Sequence, residues 1–182
     1  MSETVSTKKL VEEAKAAYQK GDYRAAALTF EAARQGYASA GDGLNAAEMA
    51  NNCSVAYLQA GDAEDALRVL EGSESTFAQA GDLRRQGMAA GNRAAALEAL
   101  ERLEEAAEAY EYSADLLQQA GEDELRSNVM QSLSTLQLRT GKRLQALATM
   151  QAGLDGIHKP SPRQRLLKKL LNVPFEMLNK KK

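Results

Sequence analysis

The chain carries one cysteine and one histidine, the side chains that most often act as nucleophile, base or metal ligand. His158 stands alone, and a single histidine lacks the partners that a catalytic triad or a zinc site requires. Cys53 lies among small residues at helical spacing, where a free thiol behaves as a small apolar group. One cysteine also excludes a disulfide within the chain. These residues therefore predict neither a nucleophile nor a metal centre.

Two further segments have residue types that acid–base chemistry or phosphate binding uses. The run from Glu101 to Glu105 holds three carboxylates, but a run of charges on a helix is ordinarily a solvated face. Gly41-Asp42-Gly43 is not followed by the residues that a phosphate-binding loop needs at fixed spacing. The sequence therefore predicts no active site and no cofactor, and we expect a protein that is not an enzyme.

The composition indicates which kind of element must position any functional residue. Apolar residues make up 44% of the 182 residues, and most of them are alanine and leucine. Aromatic residues are only 5%, tryptophan is absent and there are three prolines. This favours many closely packed helices over a sheet built from branched and aromatic side chains. The length suits one compact domain or one repeat array, and we expect an all-α fold.

Charge is distributed unevenly, although the net charge is only −2. Residues 159–182 contain eight of the 23 Lys and Arg residues and one of the 25 acidic residues, so this tail carries +7 and the body −9. Because nucleic-acid binding depends on clustered bases, the acidic body predicts no nucleic-acid partner. The first 20 residues lack the apolar run of a signal peptide, and no stretch approaches the ~20 apolar residues that span a bilayer. We expect a soluble, cytoplasmic protein.

Several kinds of residue recur at intervals of 40 positions. Gly-Asp occurs at 21–22 and 61–62, Gly141 continues the series, and Glu101 occupies the place where a glycine is missing. Repetition at a fixed period is typical of stacked helical units. It predicts four repeats within residues 1–160, at about 3–42, 43–82, 83–122 and 123–160. The other series are Ala40, Ala80 and Ala120 before Gly and an acid; Ala26, Ala66, Ala106 and Ala146; and Phe30, Leu70, Tyr110 and Met150.

Each unit is predicted to hold two helices. In the second unit the apolar spacing indicates helices over 46–59 and about 63–79. Gly61 suits the left-handed position that ends a helix, and Asp62 can cap the next helix by accepting its free N–H groups. The alanines of the 26/66/106/146 series are small enough for the two helices of a unit to lie close together.

This pattern resembles the tetratricopeptide repeat, and the resemblance covers about 160 residues. It implies a right-handed superhelical α-solenoid. The period of 40 in place of 34, with no proline after the second helix, is more similar to the repeats of kinesin light chains and bacterial signalling proteins. The resemblance to soluble NSF attachment proteins is looser. The residues that carry it are Tyr18, Gly21, Tyr23, Ala26, Phe30, Cys53, Ser54, Tyr57, Gly61, Ala66, Leu70, Ser73, Ala106, Tyr110, Gly141, Ala146 and Met150.

The family binds extended or helical peptides in a concave groove lined by the first helix of each unit, so the resemblance implies such a groove here. Asn52 and Asn92 lie one period apart, and an amide that both donates and accepts can pair with a peptide backbone of any sequence. The alternative is that these asparagines only keep a helix surface soluble. A clamp for a terminal carboxylate is not expected, because Met88 and Asn92 stand where it needs bases. The implied groove residues are Lys8, Glu12, Lys15, Glu48, Asn51, Asn52, Val55, Met88, Asn92, Ala95, Asn128, Gln131, Ser132 and Thr135.

Residues 161–182 form a separate terminal element. Ser161 and Pro162 are typical of a helix start, and a further short helix is predicted at 173–178 before frayed residues at 180–182. One interpretation is a cap that covers the last apolar face of the array. The other is a contact with lipid or an acidic partner. The stripe and its flanking bases are Leu166, Leu167, Leu170 and Leu171 with Arg163, Arg165, Lys168 and Lys169.

Together these observations favour an adaptor that binds a peptide or helix of another protein. A rival hypothesis is a membrane-surface or trafficking adaptor that uses the basic terminal helix. A third is an accessory protein that regulates an enzyme and is inert alone.

Overall fold

The computed structural model describes residues 2–155, 157 and 160–179, with side chains at 6–155, 157 and 160–171. Over this part of the chain every regular element is a helix, which confirms the all-α prediction. Consecutive helices pack against each other in adjacent pairs. His158 and 180–182, on which predictions were made, lie outside the described residues. The helices are α1 (Ser2–Gln19), α2 (Tyr23–Ser39), α3 (Gly43–Ala60), α4 (Ala63–Val69), α5 (Ser73–Gln79), α6 (Leu83–Ala99), α7 (Leu103–Gln119), α8 (Asp123–Arg139), α9 (Arg143–Asp155) and α10 (Pro162–Asn179).

One turn geometry recurs every 20 residues. In the first turn the Gly21 N–H donates to the Tyr18 carbonyl and the Asp22 N–H donates to the Ala17 carbonyl, both at 3.0 Å. These two bonds define a Schellman motif, whose central residue must adopt a left-handed backbone. The same pair of bonds is present at each of the other turns. The central residues have φ between +57° and +84°, and they are Gly21, Gly41, Gly61, Gly81, Glu101, Gly121 and Gly141.

The residue that completes a turn also begins the next helix, so the connections are only two or three residues long. Asp22, Asp42 and Asp82 each accept a hydrogen bond from the backbone N–H three residues on, at 3.3, 3.1 and 2.9 Å. Such a bond satisfies one of the N–H groups that a helix start leaves free. Asp62 stands at the equivalent place but makes no such bond. Gly-Asp therefore ends one helix and, at three of these sites, caps the next.

Small residues bring neighbouring helices close together. The Cys53 thiol donates to the Ala27 carbonyl at 3.2 Å, and the Ser113 hydroxyl donates to the Gly87 carbonyl at 2.7 Å. Side chains this short reach the backbone of the next helix only where the two helix axes lie near each other. The alanines that the sequence placed between helices are at most 1% exposed, namely Ala26, Ala66, Ala106 and Ala146.

The prediction of one helix over 63–79 is wrong, because the structure divides this segment into α4 and α5. Gly72 lies at the break with φ +79°. Glycine adopts this conformation easily and is a poor helix former. The hydroxyls of Ser75 and Thr76 both donate to the Gly72 carbonyl at 2.9 Å, which stabilises the start of α5. Apolar spacing missed the break because Leu70 and Phe77 are buried on either side of it.

The terminal helix begins at the predicted residues. The Ser161 hydroxyl accepts from the Gln164 N–H at 3.3 Å, and the Gln164 side chain accepts from the Ser161 N–H at 2.7 Å, which is a capping box. α10 then continues to Asn179, so the separate short helix predicted at 173–178 is instead part of α10. Leu171 is buried in a small apolar cluster with Leu154 and Ile157, which joins α10 to the end of α9.

Glu101 should be the weakest of the recurring turns. A residue with a Cβ adopts the left-handed conformation at a cost of roughly 1–2 kcal/mol, of which glycine is free. We expect Glu101→Gly to raise the free energy of unfolding by about 0.5–1 kcal/mol in urea denaturation, since glycine loses more backbone entropy on folding. Glu101→Gln, which removes the charge but keeps the Cβ, should change stability little. Gly141→Ala should lower it, because no atom lies within 4 Å of the added methyl group and only the conformation is penalised. A stabilising Gly141→Ala would contradict this explanation of the turns.

The two kinds of aspartate provide a test of the caps. Asp82→Ala should lower the free energy of unfolding by ~1 kcal/mol, whereas Asp62→Ala should cost clearly less because Asp62 makes no cap bond. The Arg85 N–H donates to Asp82 and holds the pKa of its carboxyl below the ordinary value. The stabilisation is therefore present above the unfolded pKa of about 3.9 and is lost as the pH falls through the lower folded value. Urea denaturation from pH 7 to pH 2 should show the wild type and Asp82→Ala converging, and a constant difference would rule out the cap.

Candidate functional site

The first depression on the surface lies between α1 and α3. It has a volume of about 280 Å³ and brings together three predicted groove residues, Lys15, Asn52 and Val55. Tyr18 and Phe30 complete an apolar wall. Asn52 is half-buried and makes no hydrogen bond with another described residue. We call this site the α1/α3 depression; it offers a free amide beside an apolar surface.

A second depression lies between α6 and α8. Its volume is about 410 Å³, and Glu98 of α6 forms part of its wall. The Glu98 carboxylate accepts from the Tyr110 hydroxyl at 3.0 Å and lies 3.3 Å from Arg139, so its charge is already matched. The rest of this α6/α8 depression is polar and uncharged. Its other residues are the four predicted for the last unit, Asn128, Gln131, Ser132 and Thr135.

The helices between these two depressions carry the remaining predicted positions. α3 packs against α6, and α6 against α8, so the two depressions are connected through α3 and α6. Met88, Asn92 and Ala95 of α6 are all half-buried. Asn92 makes no hydrogen bond with another described side chain, so its amide, like that of Asn52, has free donors and acceptors. The series Glu12, Asn52, Asn92 and Ser132 occupies positions 40 residues apart, one on each of α1, α3, α6 and α8.

Other predicted residues are placed differently. Asn51 is only 5% exposed and its side-chain oxygen is buried, so it belongs to the interior and not to a groove surface. Glu48 is engaged by Arg85 of α6 at 3.1 Å, which ties α3 to α6. Lys15 pairs with Glu12 within α1 at 2.9 Å. Lys8 is exposed. The structure therefore separates free amides from residues that already have partners.

A third depression, of about 280 Å³, is enclosed by α8, α9 and α10. It continues from the α6/α8 depression, since Asn128 and Gln131 line both. Apolar side chains from α9 and α10 form one side, and Arg163 is the one charged residue among those that line it. The terminal helix therefore extends the polar face of α8 rather than closing it off.

Two bridges of tyrosine, glutamate and arginine connect the helices behind these depressions. In the first, the Tyr57 hydroxyl donates to Glu31 at 2.9 Å and Arg68 lies 3.4 Å from the same carboxylate. Burial of Tyr57 and the adjacent Glu31 charge raise the pKa of its hydroxyl, so it stays protonated. The second bridge, through Tyr110, Glu98 and Arg139, has the same arrangement. These groups stabilise helix packing, and each carboxylate is matched by a cation and a hydroxyl donor.

The remaining groups with chemical potential are each engaged in structure. Arg102 pairs with Glu105 at 2.6 Å on an exposed surface, and Asp42 in Gly41-Asp42-Gly43 caps α3. Among the described residues no three histidine, cysteine or acidic side chains are grouped to hold a metal ion. No family model and no curated protein matches this chain. The assignment of function therefore rests on the residues themselves.

Sequence reasoning missed three residues of the candidate site. Tyr18 and Phe30 were interpreted only as packing residues of the repeat, yet both also line the α1/α3 depression. Glu98 was not singled out because it belongs to no series at the period of 40. The signal for Tyr18 was available, since a tyrosine places a polar hydroxyl at the end of an apolar ring and is seldom fully buried.

Cys53 should be unreactive in the folded chain. Its side chain is fully buried, and burial together with the Glu31 charge raises the pKa of the thiol to about 12. Because the thiolate is the reacting species, alkylation by iodoacetamide at neutral pH should be many-fold slower in the native protein than in urea. Mass spectrometry of the alkylated chain measures both rates. Equal rates would show that the thiol is accessible and would reopen the possibility of a nucleophile.

Proposed function

We propose that this chain is a non-enzymatic scaffold that binds a peptide or helix of a partner protein along the face formed by α1, α3, α6 and α8. The observation that carries the proposal is that the α1/α3 and α6/α8 depressions both lie on these four helices. Eight residues that line the two depressions include seven that the repeat pattern assigned to a groove. Those seven are Lys15, Asn52, Val55, Asn128, Gln131, Ser132 and Thr135.

The overall form that we propose is a right-handed superhelical α-solenoid of tetratricopeptide-like repeats. Two features support it. The turns recur at a constant interval, so successive helix pairs are related by similar rotations. Each helix packs mainly on its neighbours in the chain, which is the contact pattern of a solenoid. In such an array the first helix of each unit lines the inner surface, and the four helices of the proposed face occupy that place.

Recognition would combine amide hydrogen bonds with apolar contact. Asn52 and Asn92 each offer a donor and an acceptor, so each can pair with one peptide group of an extended ligand or with a polar side chain of a helix. Tyr18, Phe30 and Val55 supply an apolar surface beside Asn52 for a ligand side chain. The hydroxyl of Ser132 continues the series at the far end. Such a surface selects a ligand by shape and by main-chain hydrogen bonds more than by charge.

Charge supports a protein partner over nucleic acid. The body of the chain carries −9, and most bases on its helices pair with acids, as Arg85 does with Glu48 and Arg139 with Glu98. Phosphate binding needs clustered cations that are free. The proposed setting is the cytoplasm, in keeping with a single cysteine that is buried and unpaired.

The asparagine pair provides the test. A peptide selected on the intact chain from a random display library should bind Asn52→Ala/Asn92→Ala about tenfold more weakly than wild type, because each lost hydrogen bond is worth ~0.5–1.5 kcal/mol. Isothermal titration with the synthetic peptide measures the affinity, and circular dichroism checks that the helices persist.

The matched control is Gln79→Ala/Gln119→Ala, which removes two exposed amides that also lie 40 residues apart but at the ends of α5 and α7. Its affinity should stay within about twofold of wild type. If both double variants bind as the wild type does, the proposed face is not the binding site.

A further inference from the structure

The terminal helix α10 contacts the array with one face and leaves the opposite face open. Leu171 is buried against Leu154 and Ile157, and Lys168 pairs with Asp155 of α9 at 2.7 Å. Leu166 and Leu170, four residues apart and therefore on one stripe of the helix, are 60% and 59% exposed. A cap that served only to cover α9 would not need this second apolar stripe.

Cations surround the open stripe. Arg163, Arg165 and Lys169 are exposed, and no acidic partner for them is found among the described residues. The Arg165 guanidinium donates to the Pro160 carbonyl at 3.1 Å, which leaves its charge uncompensated. Along 159–182 the sequence has eight bases and one acid, so the charge of the segment is strongly positive. Lys168 differs from the other three because its charge is used to hold α10 on α9.

We propose that α10 is an anchor that lies in the surface of a bilayer rich in anionic phospholipid. Leucines on one stripe of a helix with arginines and lysines beside it match the two components of interfacial binding, apolar burial and attraction to anionic headgroups. Leu166 and Leu170 enter the boundary between headgroups and acyl chains, and Arg163, Arg165 and Lys169 meet the phosphates. None of the helices in the described part of the chain is long and apolar enough to cross a bilayer. The contact is therefore one of surface binding.

Charge selects lipid over a second copy of the chain as the occupant of this stripe. A symmetric contact between two α10 helices would place the same residues of both copies together. It would bring Arg163, Arg165 and Lys169 of each copy close to those of the other, and this repulsion opposes pairing. The acidic body, at −9, is repelled by an anionic surface, so α10 becomes the point of contact and the face of α1, α3, α6 and α8 stays free for a partner.

Co-sedimentation of the full chain with vesicles tests the proposal. Binding should be strong to phosphatidylcholine vesicles containing phosphatidylserine, weak to phosphatidylcholine alone, and reduced when salt is raised from about 0.1 M to about 1 M. Leu166→Ser/Leu170→Ser should lower the partition coefficient at least tenfold, and Arg163→Gln/Lys169→Gln about tenfold or more.

Each variant has a matched control. Leu28→Ser/Leu144→Ser removes two exposed leucines of α2 and α9, and Lys20→Gln/Lys142→Gln removes two exposed cations at turns. Both controls should bind vesicles nearly as well as wild type, and so should Asn52→Ala/Asn92→Ala, which separates this proposal from the peptide-binding one. Circular dichroism confirms that each variant is folded.

Two results would overturn the proposal. One is a wild-type chain that does not sediment with phosphatidylserine vesicles or sediments equally with both compositions. The other is a wild-type dimer in light scattering that Leu166→Ser/Leu170→Ser converts to monomer, which would make the stripe a contact between copies.

Discussion

Two backbone hydrogen bonds across a left-handed residue, repeated every 20 positions, govern the rest of this structure. They end each long helix after 17 or 18 residues and reverse the chain within two or three residues. A connection this short leaves the next helix no choice but to pack on the one before it. Glycine at the centre makes the geometry accessible, and Glu101 shows that the surrounding packing holds it even where glycine is missing.

Helix separation follows from the turns and from the small residues between them. A short connection requires close helices, and alanine, serine or cysteine at the contact allows them. Longer polar side chains then reach across more than one helix, as in the Tyr57–Glu31–Arg68 bridge, which joins α2, α3 and α4. The interior is thus assembled from local contacts between neighbours, and amides on the open sides of α3 and α6 remain available.

The sequence predicted the features that recur and missed those that occur once. The interval of 40 located the turns and the buried alanines, because the same physical demand returns at each unit. It missed the break at Gly72, which one unit alone contains. Asn51 and Asn52 show the limit for the site, since one residue along a helix is a rotation of about 100°, enough to move a side chain from the surface to the interior. Glu48 is occupied by Arg85, a partner in another helix that spacing within one helix does not indicate.

Amide hydrogen exchange tests the role of the turns most directly. The account predicts that the N–H of Arg102, which donates to the Leu97 carbonyl at 2.9 Å, exchanges orders of magnitude more slowly than that of Leu103, a first-turn amide of α7 without an intrahelical acceptor. The amides of Asp22, Asp42 and Asp82 should be protected in the same way. Fast exchange at these four amides, with protected helices on either side, would show that the turn bonds do not hold the helices together and would contradict the account.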